Sequence, residues 1–117
     1  MTDRDPDCLF CRIVADEIPS DRVYEDEDVI GFRDINPQAP THVLLIPRRH
    51  IADVHGLTEA DAPILDALFS AVRRVAEAEG LDRGYRVVSN VGAEAGQSVF
   101  HLHLHLLGGR PMAWPPG

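Results

Sequence analysis

Short apolar runs separated by turn-forming residues dominate the first half of the chain and return near its end. The runs at 23–25, 29–34 and 85–90 have the length and composition of β-strands. The run at 42–47 is almost continuously apolar, which is typical of a central strand buried on both faces. Acidic residues 26–28 stand between the first two runs and predict a hairpin turn.

Two other segments have the properties of α-helices. Residues 8–15 predict a short helix, and a longer one begins near Asp61 and ends at Gly80. Thr58 and Asp61 have the spacing of a capping box at the start of the longer helix. Its apolar positions recur every three or four residues and are expected to pack on a sheet: Ile64, Leu65, Leu68, Phe69, Val72, Val75 and Ala76. One long helix with hairpin-connected strands indicates the α+β class and an antiparallel sheet.

Length, charge and hydropathy narrow the class of protein. The 117 residues fit one domain over 1–117, with a polar, flexible end at 1–7 and a tail at 108–117. A core of this size is modest, so association with a second copy would stabilise it. The formal net charge of −8 disfavours binding to DNA or RNA. No apolar run has the roughly 18 residues that span a membrane, and no signal peptide is recognised, so we expect a cytoplasmic protein.

Three histidines near the C-terminus carry the strongest chemical signal. His101, His103 and His105 alternate with leucines within a predicted last strand at 99–107. Side chains alternate faces along a strand, so we expect the histidines on one face and the leucines in the core. Packing does not explain three imidazoles together, because each buried imidazole needs hydrogen-bond partners.

Two kinds of chemistry fit this row of imidazoles. One is a metal site, since histidines two residues apart on a strand can bind one ion. The other is nucleotidyl transfer, in which one neutral imidazole attacks phosphorus and a charged neighbour neutralises the phosphate oxygens. The glycine-containing loop 91–98 leads directly into the strand and can point several N–H groups at an anion. This loop favours the phosphate interpretation.

Cys8 and Cys11 form a Cys-x-x-Cys pair at the predicted first helix. In a reducing compartment this spacing favours metal or redox chemistry over a structural disulfide. A tight turn can point both sulfurs at one zinc ion. Free thiols packed beneath the helix are the alternative, whereas a redox pair would be expected in a βαβ unit, a context that these residues lack.

The segment 101–107 resembles the signature of the histidine triad (HIT) family, in which three histidines alternate with apolar residues. The segments 34–42, 96–99, 108–110 and 114–117 resemble its Hint branch, the purine nucleoside phosphoramidases. The resemblance covers nearly the whole chain. It implies a HIT-like fold, with a five-stranded antiparallel sheet extended across a homodimer, one long helix and a short N-terminal helix. It further implies hydrolysis of a purine nucleotide conjugate through a nucleotidyl-histidine intermediate.

The resemblance also implies a role for each catalytic position. His103 would be the nucleophile, His105 would contact the α-phosphate, and His42 would orient the nucleophile or exchange its proton. Ser98 would assist the departing amine, and Asn90 would bind near the scissile phosphate.

Substrate contacts and a zinc site follow from the same resemblance. Asp34 would accept hydrogen bonds from the ribose hydroxyls, and Trp114 would reach the active site of a second copy. The apolar walls around the purine would be Leu9, Phe10, Ile13, Phe32 and Ile35, and the loop contacts to the nucleotide would be Gly96, Gln97, Ser98 and Val99. Bacterial relatives with the two cysteines carry zinc, and the likeness nominates His50 and His101 as the other ligands beside Cys8 and Cys11. Such a zinc would be structural, one per chain, and the chemistry would need no metal.

Three other functions stay open at this point. A dinucleoside polyphosphate hydrolase or nucleotidylyl transferase of the same family is one, although Ser98 and the tail 114–117 favour the phosphoramidase. A nucleotide-binding scaffold with incidental hydrolysis is another. The third is a metalloenzyme with zinc held by the three triad histidines. Ala113 stands where animal Hint proteins usually carry histidine, which bears on the choice of leaving group.

Overall fold

Residues 4–117, which the computed structural model describes, contain one antiparallel sheet of five strands. The strands are β1 (Arg22–Glu25), β2 (Val29–Arg33), β3 (Thr41–Pro47), β4 (Tyr85–Val88) and β5 (Leu104–Gly108). They lie in the order β1-β2-β3-β5-β4, and every neighbouring pair is antiparallel. The predicted α+β class and five-stranded antiparallel sheet are confirmed. Residues 1–3, part of the predicted flexible end at 1–7, lie outside the described residues.

Two α-helices accompany the sheet in the described part of the chain: α1 (Leu9–Val14) and α2 (Ala62–Ala78). A short 3₁₀ turn precedes α2, and there the Asp61 carboxylate accepts the Thr58 N–H at 2.9 Å. Gly80 follows α2 with a φ of +70°, a left-handed conformation that glycine adopts without steric cost and that commonly ends helices. Both helices are therefore close to their predicted positions.

The sheet separates two apolar clusters, and β3 contributes to both. Val43 and Leu45 belong to the cluster against α2, whereas Leu44 and Ile46 belong to the cluster against α1. This alternation explains why residues 43–47 are all apolar and why the strand is buried along its length. The α2-side cluster also contains the leucines that alternate with the triad histidines, as predicted: Leu102, Leu104 and Leu106.

The apolar stripe of α2 packs on the sheet with one exception. Phe69 is 53% exposed in the single chain, although the helical spacing predicts it in the core. The other members of the stripe are buried or partly buried in the α2-side cluster: Ile64, Leu65, Leu68, Val72, Val75 and Ala76.

The prediction of a last strand at 99–107 is wrong at its beginning, because β5 starts only at Leu104. Continuing the β3–β5 register would place Pro47 opposite Leu102. Proline has no N–H to donate, and the Leu102 N–H donates instead to the Ile51 carbonyl at 2.6 Å. The segment before Leu104 therefore approaches the sheet without ladder hydrogen bonds.

β4 is likewise shorter than its predicted span of 85–90, because only Tyr85–Val88 pair with β5. Within residues 4–117, no helix combines the length and apolar character needed to cross a bilayer.

Candidate active site

A cleft of about 600 Å³ opens on the α1 side of the sheet. Phe10 and Phe32 line it and meet edge to face, with ring centroids 5.5 Å apart. The rest of its apolar wall includes Leu9, Ile13 and Leu44, and its polar groups include Asp34, Ser98, His103 and His105. An apolar wall with a few convergent polar groups is typical of a small-molecule site.

His103 lines this cleft and is only 7% exposed. Its Nδ1 lies 2.7 Å from the main-chain oxygen of His101, and only a protonated nitrogen can make that bond. The lone pair of neutral His103 is therefore on Nε2. Burial lowers the pKa of His103, so the imidazole is neutral at pH 7. A neutral imidazole with an available lone pair can act as a nucleophile.

His42 and His105 form a hydrogen-bonded pair whose proton positions follow from their partners. The Gln38 N–H donates to His42 Nδ1 at 3.1 Å, so neutral His42 carries its proton on Nε2. That Nε2 lies 2.9 Å from Nδ1 of His105, which must accept. The proton of neutral His105 is then on Nε2, from which it can be donated to a phosphate oxygen.

The sequence-based role of His42 changes with this geometry. The main-chain oxygen of His101 orients His103, whereas His42 orients His105. His103 and His105 have ring centroids 4.9 Å apart, so His42 is connected to the expected nucleophile through His105. Asp34 Oδ2 lies 3.5 Å from His42 Nε2 and offers it a second, longer acceptor.

Burial keeps this histidine cluster uncharged. The pKa of His105 falls to about 4, first because of burial and then because a proton there would be repelled by charge on His103 and His42. Burial also lowers the pKa of His42, and the Asp34 carboxylate partly opposes that shift. The charged neighbour expected from the sequence is therefore replaced in the free protein by neutral N–H donors. A bound phosphate would raise these pKa values through its negative charge.

The loop before β5 is held by the buried side chain of Gln97. Its Oε1 accepts the Gly92 N–H at 2.9 Å, and its Nε2 donates to two main-chain oxygens. Gly96 has a φ of +101°, and a Cβ there would lie 3.7 Å from the Asn90 side-chain amide. The main-chain N–H of Gln97 donates to the Gly92 carbonyl at 3.1 Å, so both its side chain and its N–H are occupied, and its predicted nucleotide contact stays a prediction.

Asn90, Gly96 and Gln97 lie outside the residues that line the cleft, whereas the remaining predicted contacts lie in the cleft or in the tail. Ser98 and Val99 line the cleft, and Ile35 borders it while remaining fully exposed. Trp114 is 82% exposed and lies outside the residues that line the cleft. The Ala113 carbonyl beside it accepts a hydrogen bond from an arginine of β4 at 2.8 Å.

The cleft wall that follows α1 was not predicted from the sequence. Ile18, Pro19 and Ser20 line the cleft, as does Leu44 of β3. The apolar Ile18-Pro19 pair directly after the helix was an available signal. Leu44 could not be assigned in the same way, because a strand that is apolar on both faces does not reveal which face borders a cleft.

The four predicted zinc ligands converge at the start of α1. His101 Nδ1 lies 3.4 Å from the Cys8 sulfur and 3.5 Å from the Cys11 sulfur, and His50 Nδ1 lies 3.3 Å from the Cys11 sulfur. Tetrahedral zinc with bonds of about 2.0–2.3 Å separates its ligand atoms by about 3.3–3.8 Å. The Nε2–H of His101 donates to the Pro47 carbonyl at 2.8 Å, which leaves Nδ1 unprotonated as a ligand. These donors fit the predicted structural zinc, and four ligands leave no open position for substrate.

The metalloenzyme alternative does not fit the same geometry. His101 joins the cysteines, so the three triad histidines do not converge on one ion. Asp34, His42 and His105 do place ligand atoms within 4.8 Å of one another. However, an imidazole that binds metal through Nε2 carries its proton on Nδ1, and Nδ1 of His42 accepts the Gln38 N–H. We therefore interpret this second group as a hydrogen-bonded relay.

Comparison with known proteins agrees with this architecture. Residues 15–112 match the HIT domain. A 14 kDa zinc-binding protein of Zea mays is 53% identical over an alignment of 117 residues, covering 97% of this chain and 90% of that protein. A HIT family hydrolase from Legionella pneumophila Philadelphia 1 has a TM-score of 0.93 and 51% identity, covering 95% of this chain and 100% of that one. A HIT family hydrolase from Clostridium thermocellum has a TM-score of 0.91 and 51% identity, covering 93% and 96%.

The five-stranded sheet and its histidine-lined cleft are those of a histidine triad protein. With the domain match over most of its length, the chain belongs to the HIT family. The Zea mays relative is named for zinc binding, in agreement with the four donors described above. The Hint branch within the family stays a prediction.

Proposed function

We propose that the chain hydrolyses purine nucleoside 5′-phosphoramidates, in which AMP or GMP is joined to an amine. One observation carries the proposal: His103 presents an unprotonated Nε2 in a cleft that combines an apolar wall with Asp34. Two solved relatives are HIT family hydrolases by name, which supports hydrolysis as the class of reaction.

The cleft suits a nucleotide whose base lies at the aromatic side and whose phosphate lies at the histidines. The purine packs on the Phe10 and Phe32 side, and the ribose hydroxyls donate to Asp34. Because the Asp34 carboxylate lies 3.5 Å from His42, the ribose is next to the histidine cluster and the α-phosphate reaches it. Ile35 is fully exposed in the free protein and gains burial against the base.

The reaction has two steps. In the first, the lone pair of His103 Nε2 forms a bond to the α-phosphorus as the bond from phosphorus to the amine nitrogen breaks. The leaving nitrogen takes the proton of the Ser98 hydroxyl, which is restored from water. In the second step, water attacks phosphorus and gives its proton to solvent. The phosphorus–Nε2 bond then breaks, its electron pair returns to His103, and the nucleoside monophosphate leaves.

One main-chain contact and one side-chain contact stabilise the charges that develop during these two steps. The His101 carbonyl accepts the Nδ1–H of His103 and so stabilises the positive ring of the intermediate. His105 donates its Nε2–H to a phosphate oxygen, where negative charge develops during attack. His42 keeps that donor in place.

A substrate panel tests the proposal. Steady-state kcat/KM is compared for AMP- and GMP-phosphoramidates and for dinucleoside polyphosphates, each with and without chelator. We expect the phosphoramidates to be preferred and a rapid quench in alkaline denaturant, in which the phosphorus–nitrogen bond survives, to trap a nucleotide on His103. Preference for dinucleoside polyphosphates would establish the other activity of the family. Nucleotide binding without turnover would support the scaffold alternative.

A further inference from the structure

The zinc donor set and the catalytic cleft share their polypeptide segments. Cys8 and Cys11 enclose Leu9 and Phe10, both of which line the cleft. His101 contributes its side chain to the donor set and its main-chain oxygen as the acceptor for the nucleophile. A displacement of the donor set must therefore displace the cleft wall, that acceptor, or both.

The main chain at His101 is not held by the sheet, because β5 begins only at Leu104. Its position depends on the Leu102 N–H bond to Ile51, at 2.6 Å, and on the His101 side chain. That side chain is fully buried and has two attachments. Nε2–H donates to the Pro47 carbonyl at 2.8 Å, and Nδ1 faces the two sulfurs of the donor set.

Phe10 provides a second connection between the two sites. Its ring meets the ring of His103 edge to face at a centroid distance of 5.1 Å, and that of His101 at 6.0 Å. α1 has six residues, too few for a helix that is stable by itself. The position of Phe10 therefore depends on its packing in the α1-side cluster and on what Cys8 and Cys11 bind.

We infer that zinc binding positions the nucleophile, by holding the His101 carbonyl that keeps His103 in its Nδ1–H tautomer and by holding Phe10 against both rings. The inference rests on the proposed role of His103. His101 and Phe10 are positioning residues in this arrangement, and the effect passes through the protein alone, because the four ligands leave no position for substrate. Zinc occupancy then sets the fraction of molecules whose Nε2 is ready to attack.

Long-range ¹H–¹⁵N NMR of the imidazoles tests this without substrate, since it distinguishes Nδ1–H from Nε2–H. We expect a single Nδ1–H tautomer of His103 in the zinc-loaded protein and a mixture in folded, zinc-free protein. The single-turnover rate should fall by about tenfold or more on zinc removal and return when zinc is added. The spectrum of His103→Asn identifies the His103 signals.

Three variants separate positioning from general stability. Cys11→Ser should reproduce the tautomer mixture, because it weakens metal binding. Val72→Ala leaves a cavity in the α2-side cluster and should lower the melting temperature while leaving the tautomer and the single-turnover rate unchanged. Phe10→Leu should raise the Kd of the nucleoside monophosphate while His103 keeps its Nδ1–H tautomer in the zinc-loaded protein.

If zinc-free protein does not stay folded, exchange of zinc for the larger Cd²⁺ gives the same test. The cadmium form should shift the His103 nitrogen signals and change the single-turnover rate. An unchanged tautomer and rate in folded zinc-free protein, or identical signals and rates in the zinc and cadmium forms, would overturn the inference. Failure of the zinc-loaded protein to hydrolyse any phosphoramidate would refute the proposed function instead, and the NMR measurement would still decide the positioning.

Discussion

In His101 and His103, a main-chain carbonyl occupies one ring nitrogen, and that hydrogen bond decides what the other nitrogen can do. A carbonyl holds Nδ1 of His103 and leaves Nε2 to attack. A carbonyl holds Nε2 of His101 and leaves Nδ1 to bind metal. His101 and His103, two residues apart in the chain, thus receive opposite tautomers and separate chemistry.

The alternation of the triad was readable from the sequence, but these partners were not. The His42–His105 bond at 2.9 Å joins residues far apart in the chain, and the carbonyl acceptor of His103 is main chain. Neither of these hydrogen bonds can be predicted from residue types or from their spacing. The separation of His101 from the other two histidines likewise depends on where His50 and the cysteines lie in space.

Replacing the nucleophile gives the most direct test at this scale. His103→Asn should abolish measurable turnover of AMP- or GMP-phosphoramidates, because only imidazole can form the covalent intermediate. Nucleotide affinity, measured by calorimetry, should change little. His55→Asn is the matched control, since His55 is exposed and lies outside the cleft, and it should retain the parent kcat. Substantial turnover by His103→Asn would refute the assignment.

His105 should make the protein less stable in acid. Its pKa falls from 6.5 to about 4 in the folded state, so below pH 6.5 the unfolded chain binds a proton that the folded chain refuses. The free energy of unfolding therefore falls between pH 6.5 and about 4, by about 3 kcal/mol from His105, and is nearly unaffected by this group above pH 6.5.

Urea unfolding at pH 7 and pH 4.5 measures this difference. The drop should be smaller in His105→Asn than in the parent protein. His55→Asn should show the same drop as the parent protein. It is the control for acid-induced loss of metal, which lowers the stability of all three proteins. Equal drops in all three proteins would exclude His105 as a source of the pH dependence.

The secondary-structure elements whose positions are set by their own residues were predicted correctly from the sequence. The first hairpin, the apolar central strand and the ends of α2 all lie near their predicted positions. The beginning of β5 was mispredicted because residues 100–103 have the same alternation of apolar residues and histidines as the strand they precede. The ladder ends because Pro47, on the neighbouring strand β3, has no N–H to donate. The residues before Leu104 do not reveal which residue lies opposite them.

The short helix α1 should depend on metal for its stability. We expect protein purified without added zinc to contain about one zinc per chain by elemental analysis. Chelation should lower the melting temperature, because the ligands join α1 to the loop carrying His50 and to the segment carrying His101.

His50→Ala should lower the melting temperature of metal-loaded samples in the same way as chelation. His55→Ala removes an exposed histidine from outside the donor set and should not. Protein that contains no zinc, or that melts at the same temperature with and without chelator, would contradict the site.

Two large apolar side chains on α2 and β4 are exposed and do not pack in the core of the single chain. Phe69 on α2 is 53% exposed and Tyr85 at the start of β4 is 43% exposed. The 64–76 part of α2 and the segment 86–90, which begins within β4, are the elements we propose for a two-fold interface. Because β4 is an edge strand, a second copy could continue the sheet there.

Light scattering at micromolar concentration should therefore give the mass of a dimer. Phe69→Asp should shift the equilibrium to monomer, because it places a charge on that apolar surface. Phe100→Asp is a control on another exposed aromatic residue, 52% exposed and outside the proposed interface, and it should leave the mass unchanged. A monomer from the unmodified chain would contradict the proposal.

Removal of residues 112–117 tests whether the C-terminal tail contributes to the cleft of a second copy. If Trp114 reaches the cleft of a second copy, truncation should change the ranking of amine leaving groups by kcat/KM more than it changes the melting temperature. An unchanged ranking would leave the tail without the predicted role. The exposure of Trp114 in the single chain makes a large stability effect unexpected.

The alternation of leucine and histidine at 101–106 also bears on how such a protein can diversify. The leucines support the fold on one face of this segment, while the cleft on the other face has a wall of its own that includes Ile18 and Ser20. Substitutions at Ile18 or Ser20 touch no member of the α2-side cluster, so their effects should add to those of changes there. New base or leaving-group preferences can therefore accumulate in the cleft wall without cost to the α2-side cluster, and Ser20 is freer to change than Ile18, which also packs against the α1-side cluster.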